Sequence, residues 1–322
     1  NLGIILRDLG RMMEAEFCYR KAIQLNPNHN NAHYNLGNIL TDLGKLKEAE
    51  FSYNKAIQLN PNFAEAHCNL GNLLRSFGKL KEAESLYRKT IDLDPNFAKA
   101  YSYLSTIRSS DKSQKWQTRL LSEDFIKNKS QKEKVFIYFA RSNILHKEKK
   151  YASSSKYLQL ANNLKLNINP SNIEFLLNQS KKLLLESNKK IDNKKELTNF
   201  PQSIFIVGMP RSGSTLLESI LSMNNNVYDL GEKNILEESF LKWKNPLQKS
   251  TLADLYFKQT NNFSNKLKTT TNKWLLNYLY TGIISTQIPN AKIIHCFRNP
   301  LDNILSIYRT NFTKGTQYSS SL

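Results

Sequence analysis

The residues best suited to chemistry lie in "VGMPRSGSTLLE", residues 207–218. Gly208 and Gly213 stand five apart, and two hydroxyl residues, Ser214 and Thr215, follow. Glycines at that spacing let backbone N–H groups close around a phosphate, and hydroxyls add further hydrogen bonds. A nucleoside triphosphatase also needs a lysine just before its final hydroxyl, to hold the β- and γ-phosphates. Ser214 occupies that position here, and the cation, Arg211, sits earlier, inside the loop. Such a loop can hold one phosphate and is poorly equipped for ATP. No His or carboxylate cluster with metal-ligand spacing accompanies it, so side-chain cations are expected to do the work of a metal.

The elements that must position this loop are readable around it. "SIFIVGM", 203–209, is almost wholly apolar, as a parallel strand buried on both faces should be. "PRSGS" turns the chain, and "TLLESILSM" has helical spacing. Strand, turn and helix together gather free N–H groups at the helix start, where the dipole also favours an anion. A second unit follows: "AKIIHCF", 291–297, as a buried strand, "RNP" as its turn, and "LDNILSIYR" as a helix begun after Pro300. Two such units predict an α/β layer with a parallel sheet. His295 lies on the second strand and reads as a core histidine.

At 322 residues the chain has room for two domains, and 40% hydrophobic content suffices for their cores. No apolar run is long enough to span a bilayer. The net charge of +19 suits an acidic partner, or reflects a general Lys-, Asn- and Ile-rich bias. No RNA-recognition pattern, zinc pattern or basic recognition helix supports a nucleic-acid partner. Cys18, Cys68 and Cys296 are odd in number and far apart, which argues against a disulfide framework and fits a reducing, cytoplasmic compartment.

The first hundred residues repeat with a period of 34: Leu2-Gly3, Leu36-Gly37 and Leu70-Gly71; Gly10, Gly44 and Gly78; Ala15, Ala49 and Ala83; Tyr19, Tyr53 and Tyr87; Pro27, Pro61 and Pro95. That is the mark of antiparallel helix pairs stacked into a solenoid. Small residues let the paired helices approach, Leu and Tyr fill between them, and the prolines end each second helix. The pattern resembles the tetratricopeptide repeat family, with the first copy truncated. Asn1, Asn35 and Asn69 recur once per repeat, with Asn38 and Asn72 one turn on. In some such arrays an asparagine ladder grips an extended peptide, since an amide both donates and accepts. Residues 98–108 continue the first-helix pattern, 132–164 read as a less regular helical pair, and 171–198 as a helix leading into the solvated "NKKIDNKKEL" connector.

Beyond the repeats, "PRSGSTL" resembles the 5′-phosphosulfate loop of sulfotransferases that use 3′-phosphoadenosine 5′-phosphosulfate (PAPS). "FRNPLDNILSIY" resembles their 3′-phosphate motif, with Arg298 and Ser306 eight apart. Residues 271–312 are similar throughout to the bacterial tetratricopeptide-repeat sulfotransferases, relatives of the tyrosylprotein sulfotransferases. The resemblance implies three regions: repeats over 1–100, an irregular helical repeat and connector over 101–199, and a P-loop-like α/β sulfotransferase domain over 200–322. It further implies a chain truncated at both ends, whose fragment can be inactive. Ser212, Gly213, Ser214 and Thr215 would hold the 5′-phosphate. Arg211 and Lys273 would lie against the transferring group, Arg298 and Ser306 would bind the 3′-phosphate, and Glu232, in "LGEKN", would take the acceptor's proton. An exposed Glu, with a pKa of about 4.3, is a weak base toward a phenol, so burial is expected to raise it. Glu218 reads as a structural carboxylate favoured by the helix dipole. Asn272 and Asn299 stand where relatives often have Asp, Leu275 where they have Pro, and Lys233 where a second acid can stand. The implied acceptor is a polypeptide or glycan-bearing hydroxyl compound. An inactive interaction scaffold and a P-loop kinase or NTPase are the competing readings.

Overall fold

The structure, a computed structural model, describes residues 2–107, 115–170, 173–188, 200–261 and 269–310. Asn1, Arg108, most of the 188–197 connector and the chain after 310 lie outside the described residues. Two compact units divide the chain, residues 1–169 and 170–322, so the middle region of the sequence reading is shared between them.

The first unit is helical. Its helices are α1 (Leu2–Asp8), α2 (Met12–Leu25), α3 (Asn30–Asp42), α4 (Leu46–Leu59), α5 (Ala64–Ser76), α6 (Leu80–Leu93), α7 (Ala98–Thr106), α8 (Lys115–Leu121), α9 (Gln131–Lys147) and α10 (Tyr151–Ile168). The 34-residue period is the period of the helix pairs. Each tyrosine of the repeat packs on the glycine of the preceding helix: a Cβ at Gly37 would come within 2.7 Å of the Tyr53 ring, and one at Gly71 within 2.8 Å of Tyr87. The turn inside each pair needs a left-handed residue, supplied by Gly44 (φ 74) and Gly78 (φ 75). Between pairs, Asn60 and Asp94 take the extended conformation imposed by the following proline. Their side chains accept from the N–H two residues on. The side chain one helix later then reaches back to each proline carbonyl: His33 to Pro27 and His67 to Pro61 at 2.9 Å, Tyr101 to Pro95 at 3.0 Å.

Helices α9 and α10 form the less regular pair expected from 132–164. Ser130 and Glu133 start α9 with a reciprocal capping box. Its turn to α10 repeats the earlier geometry, Lys150 N donating to Leu145 O at 2.8 Å as Lys45 N does to Leu40 O, but the left-handed position is Lys149 (φ 61).

In the second unit, α11 (Ile173–Ser187) packs on α15 (Thr281–Gln287) and on a 3-10 turn, Leu275–Tyr280. The sheet holds β1 (Gln202–Gly208), β2 (Val227–Asp229), β3 (Thr269–Asn272) and β4 (Ala291–Cys296), in the order β2-β3-β1-β4, and every pairing is parallel. Helix α12 (Ser214–Leu221) follows β1, and α16 (Pro300–Tyr308) follows β4. Phe205 joins a buried cluster with Leu230, Phe240, Tyr256 and Ile284, contributed in part by α13 (Ile235–Trp243) and α14 (Leu252–Asn261).

The second strand departs from expectation. Among the described residues β4 pairs on one side only, with β1. Among those residues it lies at the sheet edge with exposed positions along it, rather than buried on both faces; Ile293 is 38% exposed. His295 on it is likewise exposed rather than a core residue.

Candidate active site

Because the strands are parallel, the segments after their C-terminal ends converge on one edge of the sheet, the usual ligand edge of an open α/β layer. Residues 209–213 follow β1, Arg298 follows β4, Lys273 follows β3 directly, and Glu232 lies just after β2. The β2–β3 ladder continues past both strands: Leu230 N donates to Thr271 O at 2.8 Å and Lys273 N to Gly231 O at 2.9 Å. That continuation brings Glu232 beside Lys273.

The loop has the marks of an anion cradle. Gly208 leaves β1 at φ 151, and a Cβ there would meet the Cys296 carbonyl oxygen at 2.5 Å, so only glycine lets the loop depart beside β4. Arg211 is left-handed (φ 70), a strained state for a residue with a side chain. Gly213 (φ 101) precedes α12, and no side chain caps that helix, so its first N–H groups face the loop without side-chain partners. The Ser212 hydroxyl is buried and has no hydrogen-bond partner among the described residues. The residues present thus fit a phosphate.

Two arginines converge on the same turn. Arg211 Nε donates to Ser306 Oγ at 3.1 Å, and Arg298 Nη1 donates to the Arg211 carbonyl at 3.3 Å. The start of α16 is already capped, since Asn299 Oδ1 accepts from Leu301 N and Asp302 N. Its contribution to the cleft is therefore Ser306, two turns in, rather than free backbone.

Lys273 is the third cation. Its Nζ donates to Glu232 Oε1 at 2.8 Å and lies 3.7 Å from Glu218 Oε2, with the lysine side chain only 10% exposed. The two carboxylates differ from what their sequence positions suggested. Glu232 is 67% exposed at its side chain rather than buried. Glu218 is the buried one: its Oε1 accepts from Thr271 Oγ1 at 3.1 Å, and burial pushes its carboxyl up from the ordinary range. Asn272, also buried, clasps the site from below: Nδ2 donates to the Lys233 carbonyl at 2.9 Å, while Oδ1 accepts from Trp274 N and Asn277 Nδ2. Neither Thr271 nor Asn272 was legible as site scaffolding; "TTTN" carries no apolar pattern to mark it as a strand.

A cavity of about 660 Å³ lies against the start of the loop, lined by Val207, Leu275, Leu276, Tyr278, Ile293 and His295, with Gly208–Pro210 at its rim. It is predominantly apolar and places the exposed His295 within reach of whatever enters. Among the described residues no His, Cys, Asp or Glu group could hold a metal ion.

In the first unit, the repeat asparagines are partly engaged with one another. Asn69 Nδ2 donates to Tyr34 OH at 3.1 Å and to Asn38 Oδ1 at 2.8 Å, and Asn38 Oδ1 also accepts from Tyr53 OH at 2.9 Å. Both amide donors of Asn69 are thus spent inside the array. Asn35, within α3, is half-buried.

Comparison with known proteins agrees with both halves. The sulfotransferase family model matches residues 201–322. Tetratricopeptide repeat models match 1–29, 18–51, 37–76 and 64–97. An "Uncharacterized protein" of Aquifex aeolicus (strain VF5) is 34% identical over 130 residues, which cover 34% of this chain and only 17% of that one. Among solved structures, the "First TPR of Spaghetti (RPAP3) bound to HSP90 peptide SRMEEVD" is 28% identical with a TM-score of 0.32, covering 32% of this chain and 82% of that one. The "Crystal structure of MamA" is 21% identical with a TM-score of 0.39, covering 52% and 96%. No helix among the described residues is long and apolar enough to cross a membrane. The chain carries tetratricopeptide repeats over residues 1–97, followed by a sulfotransferase-family domain over residues 201–322.

Proposed function

We propose that the second unit moves a sulfuryl group from PAPS to a hydroxyl acceptor, and that the repeats recruit that acceptor as part of a polypeptide. The observation carrying this reading is the Arg211–Ser306 contact of 3.1 Å, with Arg298 on the Arg211 carbonyl. Two motifs 87 residues apart in sequence meet at these contacts, which supports a site for the two phosphates of a 3′,5′-bisphosphorylated adenosine. Ser212, Ser214, Thr215 and the N–H groups from Gly213 onward would hold the 5′-phosphate, and Arg298 with Ser306 the 3′-phosphate.

In the transfer, the acceptor oxygen attacks sulfur, and the bond from sulfur to the bridging phosphate oxygen breaks. Sulfur carries no proton; the acceptor's proton goes to Glu232, and negative charge develops on the bridging oxygen. Lys273 and Arg211 would meet that charge, where preorganised cations act most strongly. The apolar cavity beside Gly208–Pro210 would take the body of the acceptor.

Calorimetry on the full chain separates this reading from its rivals. Adenosine 3′,5′-bisphosphate is expected to bind in preference to ATP with magnesium; the opposite preference would favour a kinase or NTPase. Should the nucleotide bind while no acceptor is ever sulfated, the interaction-scaffold reading takes over. For the repeats, Asn35→Ala with Asn69→Ala is expected to weaken capture of a polypeptide acceptor, and unchanged affinity would end that part of the proposal.

A further inference from the structure

We propose that Glu218 is the positioning residue of this site: it anchors the Lys273 ammonium to the loop helix, so that Glu232 can release Lys273 and accept the acceptor's proton. The inference rests on the sulfuryl-transfer reading and adds a role for a carboxylate that the reading leaves out.

Lys273 touches two carboxylates, and they are not equivalent. Glu218 belongs to α12, is 3% exposed, and is fixed at both oxygens, Oε1 by Thr271 and Oε2 by Lys273. The loop helix and the end of β3 therefore meet on one carboxylate. Glu232 is mostly in solvent, and Lys273 is its hydrogen-bonding partner at 2.8 Å. When charge develops on the leaving oxygen, the ammonium, with three N–H donors and two carboxylate neighbours, can turn its third proton toward it while Glu218 keeps the lysine in place. The exposed Glu232 can move; the buried Glu218, held by Thr271 and Lys273, cannot.

Stability runs against keeping Glu218 for the fold alone. Burial opposes its ionised form, with Lys273 facing it from β3 and Asp229 from β2, and Glu232 beyond Lys273. Because its folded-state pKa lies above its unfolded value, Glu218 favours the folded state at low pH and loses that contribution as pH rises through the raised value. A glutamine, never ionised, escapes this loss.

The test uses the full chain and the variants Glu218→Gln, Lys273→Ala and their combination. For Glu218→Gln we expect affinity for adenosine 3′,5′-bisphosphate and KM for the donor to stay within about threefold of the parent, while kcat falls about 10–100-fold. Its thermal midpoint at pH 8 should equal or exceed the parent's, and in the Lys273→Ala background the substitution should cost no further rate. Unchanged kcat, an equal further loss beside Lys273→Ala, or a fall in stability that parallels the fall in rate would each overturn the role. If the glutamine variant does not fold, Thr271→Val removes the bond fixing Oε1 and should give the same split, with kcat lowered and KM kept. A parent that binds no bisphosphate refutes the donor reading itself, and this proposal with it.

Discussion

Lys273 shows how much a single residue's meaning depends on tertiary neighbours. "TNKW" marks the lysine, and the loop motif marks Arg211, but nothing local marks Glu218 as buried. A carboxylate in the first turns of a helix reads as a structural dipole partner; the fold adds that α12 turns it inward against Thr271. Truncating Lys273→Ala should lower sulfate transfer about 10²–10³-fold, the scale for losing one preorganised group at the developing charge, with nucleotide affinity little changed. Rate assays beside calorimetry check both halves of that statement. Asn272 supplies a second residue-scale prediction. This chain needs the amide there, because Nδ2 donates to the Lys233 carbonyl. Asn272→Asp should destabilise the second unit by about 1–3 kcal/mol, the cost of leaving a buried acceptor unpaired, measurable by denaturant unfolding at pH 7.

At the scale of elements, the helical repeats were the most legible part of the chain, because each repeat position has a local geometric reason. Gly37 is small because the Tyr53 ring occupies the space of a Cβ. Gly37→Ala should therefore cost about 1–3 kcal/mol by overpacking, against the gain of about 1 kcal/mol expected from helix propensity alone; a net stabilisation on thermal melting would contradict the packing account. The α9–α10 turn makes the reverse case. Lys149 holds the left-handed position that Gly44 and Gly78 hold elsewhere, so Lys149→Gly should raise stability by up to about 1 kcal/mol.

The sheet was half legible. β1 announces itself as an apolar run, but β3 is Thr269–Asn272, a buried strand of polar residues. Its polar side chains are satisfied by tertiary bonds, Thr270 with Ser203 and Thr271 with Glu218, so no hydrophobic period exists to read. β2, with three residues, is too short to show one. β4 misled in the other direction: an apolar run does not distinguish a central strand from an edge strand, and only the pairing does.

On the scale of the whole molecule, the order of parts in the sequence carried the functional reading further than any one motif. A repeat array followed by a phosphate loop without the triphosphatase lysine, and then by Arg298 with Ser306, excludes little when each is taken singly. The fold adds what spacing could not: parallel strands bring those distant segments to one edge, and Arg211 touches Ser306 directly. The same contact sets an energetic condition on the proposed donor, since Arg211 must trade its bond to Ser306 for one to the ligand. Arg298→Ala should weaken binding of the bisphosphate by about 1.5–3 kcal/mol, the range for a hydrogen bond to a charged group, and should leave ATP binding nearly unchanged, because ATP has no 3′-phosphate.

The most direct measurement is a calorimetric titration of the full chain, parent and Arg298→Ala, with adenosine 3′,5′-bisphosphate and with adenosine 5′-monophosphate. The expected result is a parent preference for the bisphosphate of about tenfold or more, erased by the substitution. Equal affinity of the parent for the two nucleotides, or a preference that survives in Arg298→Ala, would contradict the shared-cleft reading on which the proposed function stands.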